Sequence, residues 1–213
     1  MTKVIEILNQ SLEASRKIQK LLFSVAAVYI ITLLSGYWAV HNRVPSVVNL
    51  VEGISENVSN NPIFIPIIGA LKGGNLAFAI LYTFLINLSS GAFISTTLPG
   101  VIPLLGGVWS IMVTGIRGFI IGAAYYYVFS VSAGYTLLAL GTLILELGAY
   151  VFSAAAGINI SLAIIFPNRY NTGSRLAAFR EAWKDAGRIY IIVVILLALG
   201  AIWEMSGLFL YMD

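Results

Sequence analysis

Between Gly73 and Asn168 the chain carries two charged residues, Arg117 and Glu146. A hydrocarbon core about 30 Å thick is crossed by about 20 apolar residues in a helix, so this run suffices for several crossings. Soluble domains carry about 25% charged residues. Here the fraction is 10%, beside 59% hydrophobic residues and a mean hydropathy of +0.92. So few polar groups cannot cover a water-facing surface, which excludes a cytosolic globular enzyme. The fold class that follows is all-α: a polytopic membrane helical bundle of about five transmembrane helices, forming a single membrane domain over residues 1–213.

The expected spans are 21–40, 76–98, 103–129, 133–152 and 188–210. The first is too long for a signal-peptide core and is followed by no convincing cleavage site, so it is read as a retained helix. Basic residues cluster before the first span (Lys3, Arg16, Lys17, Lys20) and before the last (Arg169, Arg175, Arg180, Lys184, Arg188). Short basic loops stay cytoplasmic. Five crossings put both clusters on one face, so a multi-pass cell-membrane protein is expected with its amino terminus and the 167–187 loop cytoplasmic and its carboxyl terminus outside. Residues 1–20 and 174–187 show apolar positions at helical spacing with charges between them, as in helices lying in the headgroup layer. Residues 60–74, apolar but interrupted by prolines and glycines, suit a short interfacial or re-entrant piece.

Two features break the pattern of plain spans. A helix from Gly134 to Phe166 would be about 50 Å long, so a break is expected at Gly157 and Asn159, with 153–166 broken or re-entrant. Gly118 and Gly122, four residues apart, suit close helix packing. Three ionisable residues, Arg117, Glu146 and Glu204, fall within spans, where each costs about 2.5–3.5 kcal/mol at a helix centre unless it is shielded from lipid. Counted from the expected helix ends, Arg117 lies about 20 Å from the inner face, Glu146 about 10 Å and Glu204 about 25 Å. Two readings follow. Arg117 forms an ion pair with one glutamate and fixes helix register, or Glu146 is a proton or cation site flanked by Thr142 and the break at Gly157. Asn87 is the further polar position in a span that could contribute.

The chain has no cysteine and one histidine, His41. Thiolate nucleophiles, disulfides and tetrahedral zinc therefore have almost nothing to build on, and no catalytic residue, metal or cofactor is expected. Intramembrane hydrolysis would need Ser89-Ser90-Gly91 and His41. That serine–glycine pair lacks a preceding glycine, and His41 is remote in sequence. The net charge of +3 includes no nucleic-acid-binding block, so no nucleic-acid partner is expected.

The segment Leu145-Glu146-Leu147-Gly148-Ala149, followed by Ala154-Ala155-Ala156-Gly157-Ile158, resembles the signature of the stage II sporulation protein M family. A span entering at Phe84 to Asn87, the Gly118-x3-Gly122 span, the basic stretch from Arg175 to Arg188 and a last helix ending at Ala201-Ile202-Trp203-Glu204 follow in the order the family shows. The resemblance covers most of the chain from about Leu76 onward. It implies a multipass membrane protein without established enzyme activity, whose sporulation member scaffolds cell-wall hydrolases during engulfment. The expected function is accordingly a non-enzymatic scaffold or assembly component. The alternative is a small transporter or ion channel using Glu146. The expected partners are the lipid bilayer, membrane proteins and a second copy of the chain, a dimer being the commonest oligomer.

Overall fold

The computed structural model describes residues 2–58 and 60–211, which are helical with no strand among them. Eight α-helices are present: α1 Thr2–Lys17, α2 Gln19–His41, α3 Pro45–Val58, α4 Ile65–Lys72, α5 Leu76–Ile86, α6 Leu105–Val131, α7 Ala133–Ile165 and α8 Arg175–Leu210. Five segments are long and apolar enough to cross a membrane: α2, Leu76–Val101, α6, α7 and α8. Polar side chains set several helix starts. The Asn75, Ser132 and Ser174 oxygens accept from the backbone amides of Phe78, Tyr135 and Ala177, satisfying donors that the first turn leaves free.

The second span is the irregular one. After α5 the backbone widens into a π-helix over Asn87–Thr97, then tightens into a 3-10 turn over Leu98–Val101. Pro99 and Pro103 cannot supply helix-interior amides, and Leu104 takes φ +65 before α6 begins. The break expected within 153–166 is absent, because α7 runs unbroken from Ala133 to Ile165. Its length is accommodated by burial: nearly every residue from Ala149 to Ala163 is enclosed by neighbouring segments, making α7 the central helix. Gly157 serves close approach instead of bending. A Cβ there would collide with the Thr96 carbonyl of the π segment, and one on Gly100 with the carbonyl of Gly157.

Gly118 and Gly122 lie buried on α6 against α2, where an added Cβ would meet Thr32 and Leu33; Gly36 of α2 answers them by packing on Phe119. Small residues at this spacing let two backbones meet. The two segments read as 174–187 and 188–210 form one continuous helix, α8. Residues 60–74, expected as a short interfacial or re-entrant piece, carry α4, and α3 precedes them. The apolar positions of α3 at helical spacing (Val47, Leu50, Val51, Ile54) are the signal that identifies it.

Candidate functional site: an acidic chamber between α4, α5, α7 and α8

Helices α7 and α8 form an antiparallel pair whose glycines recur at seven-residue intervals: Gly134, Gly141 and Gly148 on α7, Gly200 and Gly207 on α8. Each is covered by the partner helix. Gly134 lies under Tyr211, Gly141 under Trp203, Gly148 under Leu196, Gly200 under Glu146 and Gly207 under Leu138. A seven-residue repeat keeps one seam facing the partner along both helices. This ladder seats the Glu146 side chain on Gly200, with a Cβ there 3.3 Å from Glu146 Cγ. Glu204, four residues on, presents one turn further along the same face of α8.

Both glutamates line one cavity of about 380 Å³, together with Asn87, Thr83, Met205 and the α4 residue Leu71. Asn87 Nδ2 donates to Glu146 Oε1 at 2.6 Å. On the other side of Glu204 a smaller cavity of about 160 Å³ is lined by Tyr125, Thr142 and Leu138. The Tyr125 hydroxyl is engaged at 3.1 Å by the Ala139 carbonyl. The depth expected for Glu146 is corrected by the length of α7: the helix continues to Ile165 rather than ending near 152, so Glu146 lies about 28 Å from that end. That brings it level with Gly200 and within a turn of Glu204.

Arg117 forms no ion pair with either acid. Among the described residues the pairs within 4.0 Å are Lys17–Asp185, Lys184–Glu181 and Arg188–Asp185. Arg117 Nη2 instead donates to the Gly91 carbonyl at 2.9 Å and to Ser95 Oγ at 3.2 Å, and its guanidinium stacks 4.0 Å above the Tyr150 ring. Arg117 is thus shielded by an aromatic face, with a carbonyl of the π-helical segment as acceptor. Sequence depth could not reveal this, since the contact depends on how the irregular backbone of 87–97 lies beside α6; the Gly91 carbonyl accepts from Ser95 Oγ as well as from Arg117.

Below the acids, towards the end of α7 near the basic residues, the interior is crossed by a bonded hydroxyl layer. Thr96 Oγ1 and Ser153 Oγ are 3.0 Å apart, Thr97 Oγ1 donates to the Ser153 carbonyl at 2.8 Å and lies 2.7 Å from the Tyr190 hydroxyl, and Ser110 Oγ donates to the Thr96 carbonyl at 2.6 Å. Ala154, Ala155, Ala156 and Gly157, all buried, follow Ser153 on α7, and Gly157 packs on the backbone of Thr96 and Thr97. Asn159 does not line a break; its amide donates to the Tyr170 hydroxyl at 2.6 Å. Burial pushes the Tyr170 hydroxyl up to about 12, so it remains protonated at neutral pH. Nearby Asp185, 1% exposed, takes both Lys17 at 3.0 Å and Arg188 at 3.2 Å, fastening α1 to α8. Asp185 was missed by sequence reasoning; an acid amid Arg180, Lys184 and Arg188 on an amphipathic stretch was its signal.

No group of three or more His, Cys, Asp or Glu suited to a metal occurs among the described residues. The architecture is that of a polytopic helical membrane protein whose bundle holds an acidic cavity between α4, α5, α7 and α8. The chain belongs to the stage II sporulation protein M family, whose sequence model matches residues 25–205. No curated protein matches it, and no solved structure does.

Proposed function

We propose that the chain is a non-enzymatic scaffold or assembly component of a membrane complex, with its amino terminus and the 167–187 loop in the cytoplasm and its carboxyl terminus outside. The observation that carries this reading is the bonded layer beneath the acids, where hydroxyls are paired with one another or with carbonyls beside the buried residues Ala154 to Gly157. Such an interior suits binding better than conduction. Docked α1, with Val4, Ile5, Leu8 and Leu12 exposed, offers an apolar face at the basic end of the bundle. A homo-oligomer would use the outer face of α2, where Phe23, Ile31, Leu34 and Trp38 stand exposed, because the glycine face of α6 is already occupied by α2.

Transport is the second reading, favoured by the acids in the chamber; it requires the hydroxyl layer to open. Purified protein in liposomes distinguishes the two. The assembly reading expects proton and cation fluxes equal to those of empty liposomes, and native mass spectrometry of gently solubilised membranes to find the chain with a protein partner. Flux above background that Glu146→Gln abolishes would overturn it in favour of transport.

A further inference from the structure

The buried hydroxyls of this bundle follow a rule with three exceptions among the described residues, two of them at the acids. Ser11, Ser15, Thr96, Thr97, Ser110, Thr114, Ser153 and Ser161 are buried, and each has a hydrogen-bond partner. Tyr29, 1% exposed and lining neither cavity at the acids, has none at its hydroxyl, and Thr83 and Thr142, 5% and 7% exposed, have none at Oγ1. Helical threonines can bond the carbonyl four residues back, as Thr96 and Thr114 do here. Thr83 instead lines the larger cavity and Thr142 the smaller, one on each side of Glu204.

We propose that the chamber is a binding site for an amphipathic organic cation: a primary ammonium held between Glu146, Glu204 and Thr83, on an apolar body lying against α4. The polar end of the chamber is dominated by acceptors. Two carboxylates have no basic partner within 4.0 Å, and Asn87 donates its amide to Glu146, leaving its own carbonyl oxygen to accept. An ammonium brings three donors and no acceptor, together with the counter-charge two acids require inside a bilayer. The other walls are apolar, with Phe64, Ile67, Leu71, Met205 and Leu208 among them. Bare Mg²⁺ or Ca²⁺, which need six or more oxygens, do not suit a site of two carboxylates, and no group of three His, Cys, Asp or Glu that could hold another metal lies among the described residues. At about 380 Å³ the cavity falls at the small end of ligand pockets, which accommodates a headgroup or one short chain.

The same chemistry is offered by a free alkylamine and by the headgroup of an ethanolamine phospholipid. The proposal shares its chamber with the transport reading but requires no flux, so a loss of binding and a loss of transport are separately observed. Decylamine and decanol are titrated against the full chain in detergent, with thermal unfolding and native mass spectrometry as readouts. A second arm compares the unfolding midpoint in nanodiscs of ethanolamine and choline phospholipids. Saturable binding and a raised midpoint with decylamine but not with decanol, both lost in E146Q/E204Q, establish a free amine as ligand. A higher midpoint in ethanolamine than in choline nanodiscs, lost in the same variant, establishes the lipid. Should the double variant not fold, T83V keeps the shape of the side chain and removes only the hydroxyl; it weakens the amine by about tenfold, as expected for a hydrogen bond to a charged group. Equal effects of decanol and decylamine with no difference between the nanodiscs, an undiminished response in E146Q/E204Q, or unchanged affinity in T83V each overturn the proposal.

Discussion

Gly157→Ala separates two roles that a helical glycine could play. If Gly157 bent the fourth span, alanine would favour helix by about 1 kcal/mol and would stiffen the span with little harm. In this bundle its added Cβ would meet the Thr96 carbonyl and the Thr97 Cα, backbone atoms held by the hydroxyl layer of Thr96, Ser153 and Ser110. Because backbone must move rather than a flexible side chain, the cost falls at the upper end of the 1–3 kcal/mol typical of overpacking, about 3 kcal/mol. For a chain of this size 1 kcal/mol corresponds to about 2–4 °C, so the midpoint falls by about 6–12 °C. Gly187→Ala is the internal reference. It also lies inside a helix but has nothing within 4 Å of the added Cβ, so it raises the midpoint by about 2–4 °C. Both variants are followed by tryptophan fluorescence on heating in detergent. A Gly157→Ala protein as stable as Gly187→Ala would refute the placement of α7 against segment 87–101.

Gly36→Ala, whose Cβ would strike the Phe119 carbonyl, destabilises the α2–α6 pair by about 2 kcal/mol or more, whereas Gly115→Ala, whose nearest neighbour is 3.6 Å away, is tolerated; unfolding midpoints of the two variants check the order. Asp185→Asn weakens the attachment of α1. Lys17 and Arg188 are 55% and 41% exposed, which screens their attraction and reduces the loss to about 1 kcal/mol, seen as faster amide exchange in Thr2–Lys17 with α6 unchanged. Arg117→Lys keeps the charge but loses the planar stack on Tyr150 and the bond to Gly91, at a cost of about 1–3 kcal/mol. Stability equal to the parent in that variant would show that charge alone is required there.

The spans were legible because lipid demands apolar runs of fixed length, and the basic clusters around Lys17 and Arg175 are visible without any structure. The shape of the spans was less legible. The 50 Å arithmetic for residues 134–166 assumed a helix surrounded by lipid, whereas Ala154, Ala155 and Ala156 lie inside protein, where length is no longer limited by the bilayer. The irregularity was assigned to the wrong span for the same reason: Gly157 attracts attention as a helix breaker, yet Pro99, Pro103 and the serines of 89–95 mark where the backbone departs from the α-helix. Among the site residues, Glu146, Glu204, Asn87 and Thr142 stood out as polar groups in apolar runs. Thr83 did not, because a helical threonine is ordinary until its hydroxyl is found without a partner.

The seven-residue glycine ladder explains why the two acids share one cavity and neither pairs with Arg117. Glycines at 134, 141 and 148 and at 200 and 207 bring α7 and α8 so close that only side chains lying flat over a glycine fit the seam. Glu146 occupies such a position over Gly200, and the register then carries Glu204 into the same cavity. Arg117, on α6, is held on Tyr150 and Gly91 away from that seam. Gly200→Ala tests this coupling between packing and site. Its Cβ would lie 3.3 Å from Glu146 Cγ, near enough to displace the carboxylate by a few tenths of an ångström while leaving the helix pair assembled. Amine affinity is then expected to fall several-fold with a midpoint changed by no more than about 2–4 °C, a change of about 1 kcal/mol. A variant that binds as tightly as the parent would show that the position of Glu146 over Gly200 does not set the site.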